Sequence, residues 1–131
     1  MRSYEIEKGL VEAFFSPARR SRYVYTLTTK RGRDKLRREL AHFRHLDQRF
    51  ARPVAKSSAD AIEKVLRENG APAKCYVFSE SDGIDTLEMD LNAALQGVVG
   101  QGMGTILVCV PGRLAYYEGE EPGERYILQR P

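Results

Sequence analysis

The sequence predicts an α/β (or α+β) fold: a mixed sheet with a C-terminal β-α-β unit followed by an antiparallel meander, covered by N-terminal helices. Three observations carry this. Residues 1–70 space apolar side chains three and four apart, the helical period. From residue 73 onward, short apolar runs rich in β-branched and aromatic residues take over, with one helical stretch among them. The last two runs flank "GEEPG", a turn composition. A length of 131 residues predicts one domain, 1–131, with 1–70 mainly helical cover and 73–131 the sheet core.

The elements follow in order. Ile6, Leu10, Val11 and Phe14 predict a helix from about Tyr4 to Phe15, capped by Ser3 and stopped at "SPARR", since proline disfavours helix in the residue before it. "RYVYTLTT" (Arg22–Thr29) carries strand-forming residues and reads as strand, with a short helix as the alternative. Thr28 or Thr29 then caps a helix expected to run to about Phe50, with Leu36, Leu40, Phe43, Leu46 and Phe50 as its apolar stripe. A further helix, about Ala61 to Asn69, has Asp60 and Glu63 at capping-box spacing and a stop at Gly70 and Pro72.

"CYVFS" (Cys75–Ser79) is strand-like, and Leu91–Val99 is helical with Asp90 as N-cap. "TILVCV" (Thr105–Val110) is apolar throughout, as expected of a strand covered on both faces. The span from Glu80 to Gly104 is long enough to join two parallel strands. "LAYYE" (Leu114–Glu118) and "RYILQ" (Arg125–Gln129) complete the meander.

The glycine run Gly100, Gly102, Gly104 raises the question of a phosphate loop. A dinucleotide fingerprint runs strand, glycines, helix; here the glycines follow a helix and precede a strand, at the negative end of the helix dipole. No Gly-Lys-Ser/Thr follows them. The run is expected to be a turn, with Gly100 at positive φ ending the helix. Val110-Pro111-Gly112-Arg113 has the composition of a type II turn.

No apolar run approaches the ~20 residues of a membrane helix, and "MRSYEIEKGL" has no signal-type apolar core, so a cytoplasmic location and no membrane partner are expected. Cys75 and Cys109 lie in apolar runs and read as reduced core residues. The net charge of +3 conceals three blocks: −1 over residues 1–16, +9 over 17–52 and −5 over 53–131. A basic segment beside an acidic remainder is the main functional clue.

Two functional readings follow. The first is a non-catalytic interaction module. Its basic surface, Arg19, Arg20, Arg22, Arg33, Arg37, Arg38 and Arg44, would dock an acidic partner. That partner is an acidic protein surface or a second copy of the chain, or else nucleic acid, for which Tyr23 and Tyr25 offer stacking rings. The second is a small metal-dependent enzyme. Glu80, Asp82 and Asp85, just after Ser79, would hold a divalent cation, with Arg113 and either Tyr116 or Tyr117 at the pocket rim. Against a catalytic reading, there is no nucleophile elbow, and His42 and His45 both fall in the basic stretch without further ligands in sequence; no cofactor is predicted. A pocket joining Glu80, Asp85 and Arg113 would favour the enzyme, and a convex helix with exposed arginines the binder.

Overall fold

The computed structural model describes residues 2–55 and 57–131. Helix α1 (Tyr4–Phe14) starts on the Ser3 side chain, which accepts from the Ile6 N–H. Helix α2 (Arg20–Thr26) follows a short 3-10 turn, and α3 (Lys30–Glu39) is capped by Thr29. After an irregular segment comes the short strand β1 (Ala51–Pro53), then α4 (Ala59–Glu68). Strands β2 (Lys74–Ser79) and β3 (Glu88–Asp90) precede α5 (Leu91–Val98). Strands β4 (Thr105–Val110), β5 (Leu114–Glu118) and β6 (Arg125–Gln129) close the chain.

The six strands form one sheet in the order β1-β6-β5-β4-β2-β3. Side chains alternate between its faces, as the strand period of two requires. Tyr76, Phe78, Ile106, Val108 and Tyr117 pack against α1, α2, α3 and the segment after α3. Cys75, Val77, Leu107, Cys109 and Tyr116 pack against α4 and α5. The sheet is therefore covered on both faces, which is why Thr105–Val110 can be almost wholly apolar. No helix among the described residues is long and apolar enough to cross a membrane.

The α+β class, the helical cover and the meander agree with the sequence; four local expectations do not. First, β2 and β4 pair antiparallel, with Tyr76 opposite Val108 and Phe78 opposite Ile106. The parallel relation exists one step later: β3 and β4 both run antiparallel to β2 and flank it, so β3-α5-β4 is a β-α-β unit split by β2. The three-residue strand β3 turns the chain before α5 begins, and every neighbouring pair in the sheet is antiparallel.

Second, Arg22–Thr29 is helical up to Thr26, because Tyr23 and Leu27, four apart, are its buried residues. Third, α3 stops at Glu39 instead of reaching Phe50. The Tyr117 hydroxyl donates to the Leu40 carbonyl (2.6 Å) and accepts from the Phe43 N–H (3.2 Å), so a side chain of the sheet replaces the next helical turn. Gly104 lies against the same spot, where a Cβ would stand 2.2 Å from the Leu40 carbonyl carbon. Beyond it the chain extends, and Asp47 N–H bonds the Phe14 carbonyl (2.7 Å). Fourth, Ser58 caps α4, accepting from the Ala61 N–H, while Asp60 instead accepts from Asn92 and Gln96 on α5.

Candidate anion-binding surface

The seven arginines of the predicted basic surface divide into two groups. Arg20, Arg33 and Arg37 turn inward. Arg20 donates to the Phe15 carbonyl (2.9 Å) and pairs with Asp47 (3.0 Å). Arg33 is 6 % exposed and lies between two carboxylates. Its Nη2 meets Glu7 at 2.7 Å and its Nη1 meets Asp85 at 2.7 Å, with bidentate contacts on both sides. Glu7, fully buried on α1, also accepts from Arg2 (3.1 Å) and from the Tyr76 hydroxyl (2.5 Å). The Arg33 and Tyr76 pKa values are both raised. For Arg33 the hydrogen bonds and charges of Glu7 and Asp85 outweigh burial, while for Tyr76 burial leads and Glu7 adds to it. Among the described residues no buried side-chain polar atom lacks a partner.

Arg37 completes the clamp on the acidic loop. It reaches the Ser79 carbonyl (2.6 Å), Asp82 (2.6 Å) and Asp85 (3.2 Å). Glu80 accepts from the Gly104 N–H (2.5 Å). The three carboxylates considered as metal ligands therefore face the protein's own donors, and two guanidinium charges stand beside them. Thr86, in the same loop, is held at φ +69°. Arg113 sits on the β4–β5 turn, at the opposite end of these strands from Glu80 and Asp85, so the three line no common pocket. Tyr116 and Tyr117 point to opposite faces as expected, but both are interior: Tyr116 donates to the buried Glu118 (2.7 Å) and Tyr117 holds the end of α3.

The glycine run is a turn, with Gly100 and Gly102 at φ +81° and +68°. Its Gly100 N–H is taken by the Glu118 carboxylate (2.8 Å), which leaves that amide for no phosphate. Gly112, at φ +74°, lets the β4–β5 turn close through an Arg113 N–H bond to the Val110 carbonyl (2.9 Å).

Arg19, Arg22, Arg38 and Arg44 turn outward, and none of them makes an ion pair among the described residues. Arg38 and Arg44 line a cleft of about 220 Å³ at the end of α3, together with Glu39, His42, Phe43 and His45. Arg19 and Arg22 lie close enough to His45 for their charges to act on its imidazole. Arg31, Lys35 and Arg38 follow at i, i+4 and i+7, one exposed stripe along α3 that leads into the cleft.

The cleft floor is aromatic. Phe43 meets His45 edge-on (5.8 Å) and Tyr23 lies 6.2 Å from it. Burial first, then the positive charge of Arg19, lowers the His45 pKa from 6.5, so a neutral imidazole faces the cleft at neutral pH. Tyr23 is buried and donates to Glu39 (3.3 Å); burial, helped by Glu39, pushes its pKa up to about 12. Tyr25, nearly opposite it around α2, is 76 % exposed.

One edge of the cleft is acidic, which sequence reasoning missed. Glu120 N–H bonds the Ala41 carbonyl (2.8 Å), and this brings the "GEEPG" turn against His42. His42 Nε2 stands 2.5 Å from Glu120 and Nδ1 3.5 Å from Glu124. His42, Glu120 and Glu121 each place one ligand atom within 4.8 Å of the others at the surface, the geometry from which a divalent cation could be held. No local sequence signal links position 42 to 120. Compared with known protein families, curated proteins and solved structures, the chain matches none, so the surface is read from its own geometry.

Proposed function

We propose that this chain is a one-domain, cytoplasmic, non-catalytic interaction module that docks an acidic partner on Arg19, Arg22, Arg38 and Arg44. The observation that carries this reading is the division of the arginines. Arg33 and Arg37 are paired with the acidic loop, whereas Arg38 and Arg44 line one open cleft and Arg19 and Arg22 act on its His45, none of the four in an ion pair among the described residues. Arginine binds carboxylate and phosphate in bidentate fashion, so an acidic protein surface, a second copy of the chain or a nucleic-acid backbone supplies suitable groups. The stripe Arg31–Lys35–Arg38 extends the surface by about 10 Å along α3.

The test is fluorescence anisotropy with a labelled Asp/Glu-rich peptide and with labelled single-stranded RNA, at low and near-physiological salt. Saturable binding that weakens with salt and disappears in the Arg38→Glu/Arg44→Glu double variant supports the reading. Absence of binding to both probes at low salt, with sedimentation showing a monomer, overturns it.

A further inference from the structure

The paired register of β2 and β4 ends with Tyr76 opposite Val108; continued by one step it carries Cys75 toward Cys109, the residue at which β4 slips register against β5. Both thiols belong to the core shared with α4 and α5, 2 % and 4 % exposed. The hydrogen-bonding parity of β2 adds a second constraint. Val77, odd-numbered, bonds away from β4, donating to Leu87 (2.9 Å) and accepting from Thr86 (2.8 Å). Glu80, even-numbered, donates toward β4, to Gly104 (3.0 Å). By alternation the step past Tyr76 and Val108 is a non-hydrogen-bonded one, the type at which Cα atoms in a regular ladder approach to about 4.5 Å and side chains lie closest, and both cysteines belong to the same core cluster. That distance falls within the range a disulfide spans.

We propose that Cys75 and Cys109 are an oxidative modification site: a cross-strand dithiol that closes to a disulfide and ties β2 to β4. The oxidant is a small disulfide such as oxidised glutathione. One cysteine, as its thiolate, attacks a glutathione sulfur, releasing one glutathione and forming a mixed disulfide. The other cysteine, as its thiolate, attacks the protein sulfur of that bond and releases the second glutathione. Two electrons and two protons pass from the dithiol to the oxidant.

Burial pushes both thiols up to about 12, and Cys109 feels the Cys75 thiol as its next influence. The native dithiol is therefore slow to react, and the bond closes through opened or newly synthesised chains. Joining residues about 34 apart constrains the unfolded chain and raises the thermal midpoint by roughly 10 °C.

The full chain is incubated in urea with glutathione buffers of graded oxidised-to-reduced ratio, refolded by dilution in the same buffers, then acid-quenched and alkylated in denaturant for mass spectrometry. The expected product at oxidising ratios is a monomer two hydrogens lighter, without alkylation. It should have the far-UV spectrum of the reduced protein and the higher midpoint, both reversed by dithiothreitol. The proposal is overturned if the chain carries glutathione adducts or intermolecular bonds instead. It is equally overturned if the oxidised monomer refolds poorly or melts below the reduced one.

Discussion

Arg33 and Arg38 sit five residues apart on α3 and meet opposite surroundings. Arg33 points between α1 and the β2–β3 loop, where Glu7 and Asp85 grip it from two sides and the Phe78 ring lies 5.0 Å beneath it. Arg38 borders an open cleft beside Arg44 and makes no ion pair among the described residues. A helix rich in arginine is thus two objects: an inner face that binds the molecule together, and an outer face on which Arg31, Lys35 and Arg38 stand exposed with no ion pair among the described residues.

The sharpest way to break this comparison is to remove Arg33. Arg33→Met leaves Glu7 buried without its main counter-charge and should cost about 3–5 kcal/mol in urea denaturation, whereas Arg38→Met should leave the midpoint unchanged. Equal costs at both positions would show that the two faces do not differ. The reverse experiment is the Arg38→Glu/Arg44→Glu variant, expected to keep its stability and to lose at least about tenfold in affinity for an acidic probe, with a shallower salt dependence.

His45 gives a smaller, pH-dependent effect. The folded chain holds this imidazole neutral more strongly than the unfolded chain does, through burial and then Arg19. Unfolding therefore takes up a proton as pH falls below 6.5, and this contribution to stability is lost from there down to the lower folded value. Urea midpoints of His45→Gln should flatten in that window. A bound anion acts in the opposite sense, so affinity for the probe should rise as pH falls through it. The smallest effect is expected at Asp82, which also pairs with Arg37 but is 94 % exposed: Asp82→Ala should leave the melting curve where it is. A large shift there would mean that the clamp extends to the loop's rim.

Much of this was legible before the structure, and the failures have identifiable causes. Ser3, Thr29 and Asp90 cap helices as their positions imply, because a cap needs only a side chain and the next turn. The positive φ of Gly100 is equally local. The end of α3 is not. Leu40, Phe43 and Leu46 keep helical spacing and are buried, yet a hydroxyl from residue 117 ends the helix between them. The charge blocks predicted a basic surface, but which arginines remain on it depends on pairings between residues 33 and 85 or 37 and 82 that no local pattern encodes. The contact between the Glu120 N–H and the Ala41 carbonyl, which brings Glu120 to His42, is unreadable for the same reason.

The Glu7–Arg33–Asp85 bridge also bears on how the chain must fold. Its members come from α1, α3 and the β2–β3 loop, and Tyr76 adds β2. Each charge is costly to bury until the others have arrived, so no partial assembly holding two of the three is comfortable. The helical N-terminus and the sheet are thereby coupled into one transition. A cut after Val54 should leave two fragments that stay unstructured when separated and regain structure when mixed, and amide exchange in α1 and β2 should report the same opening event.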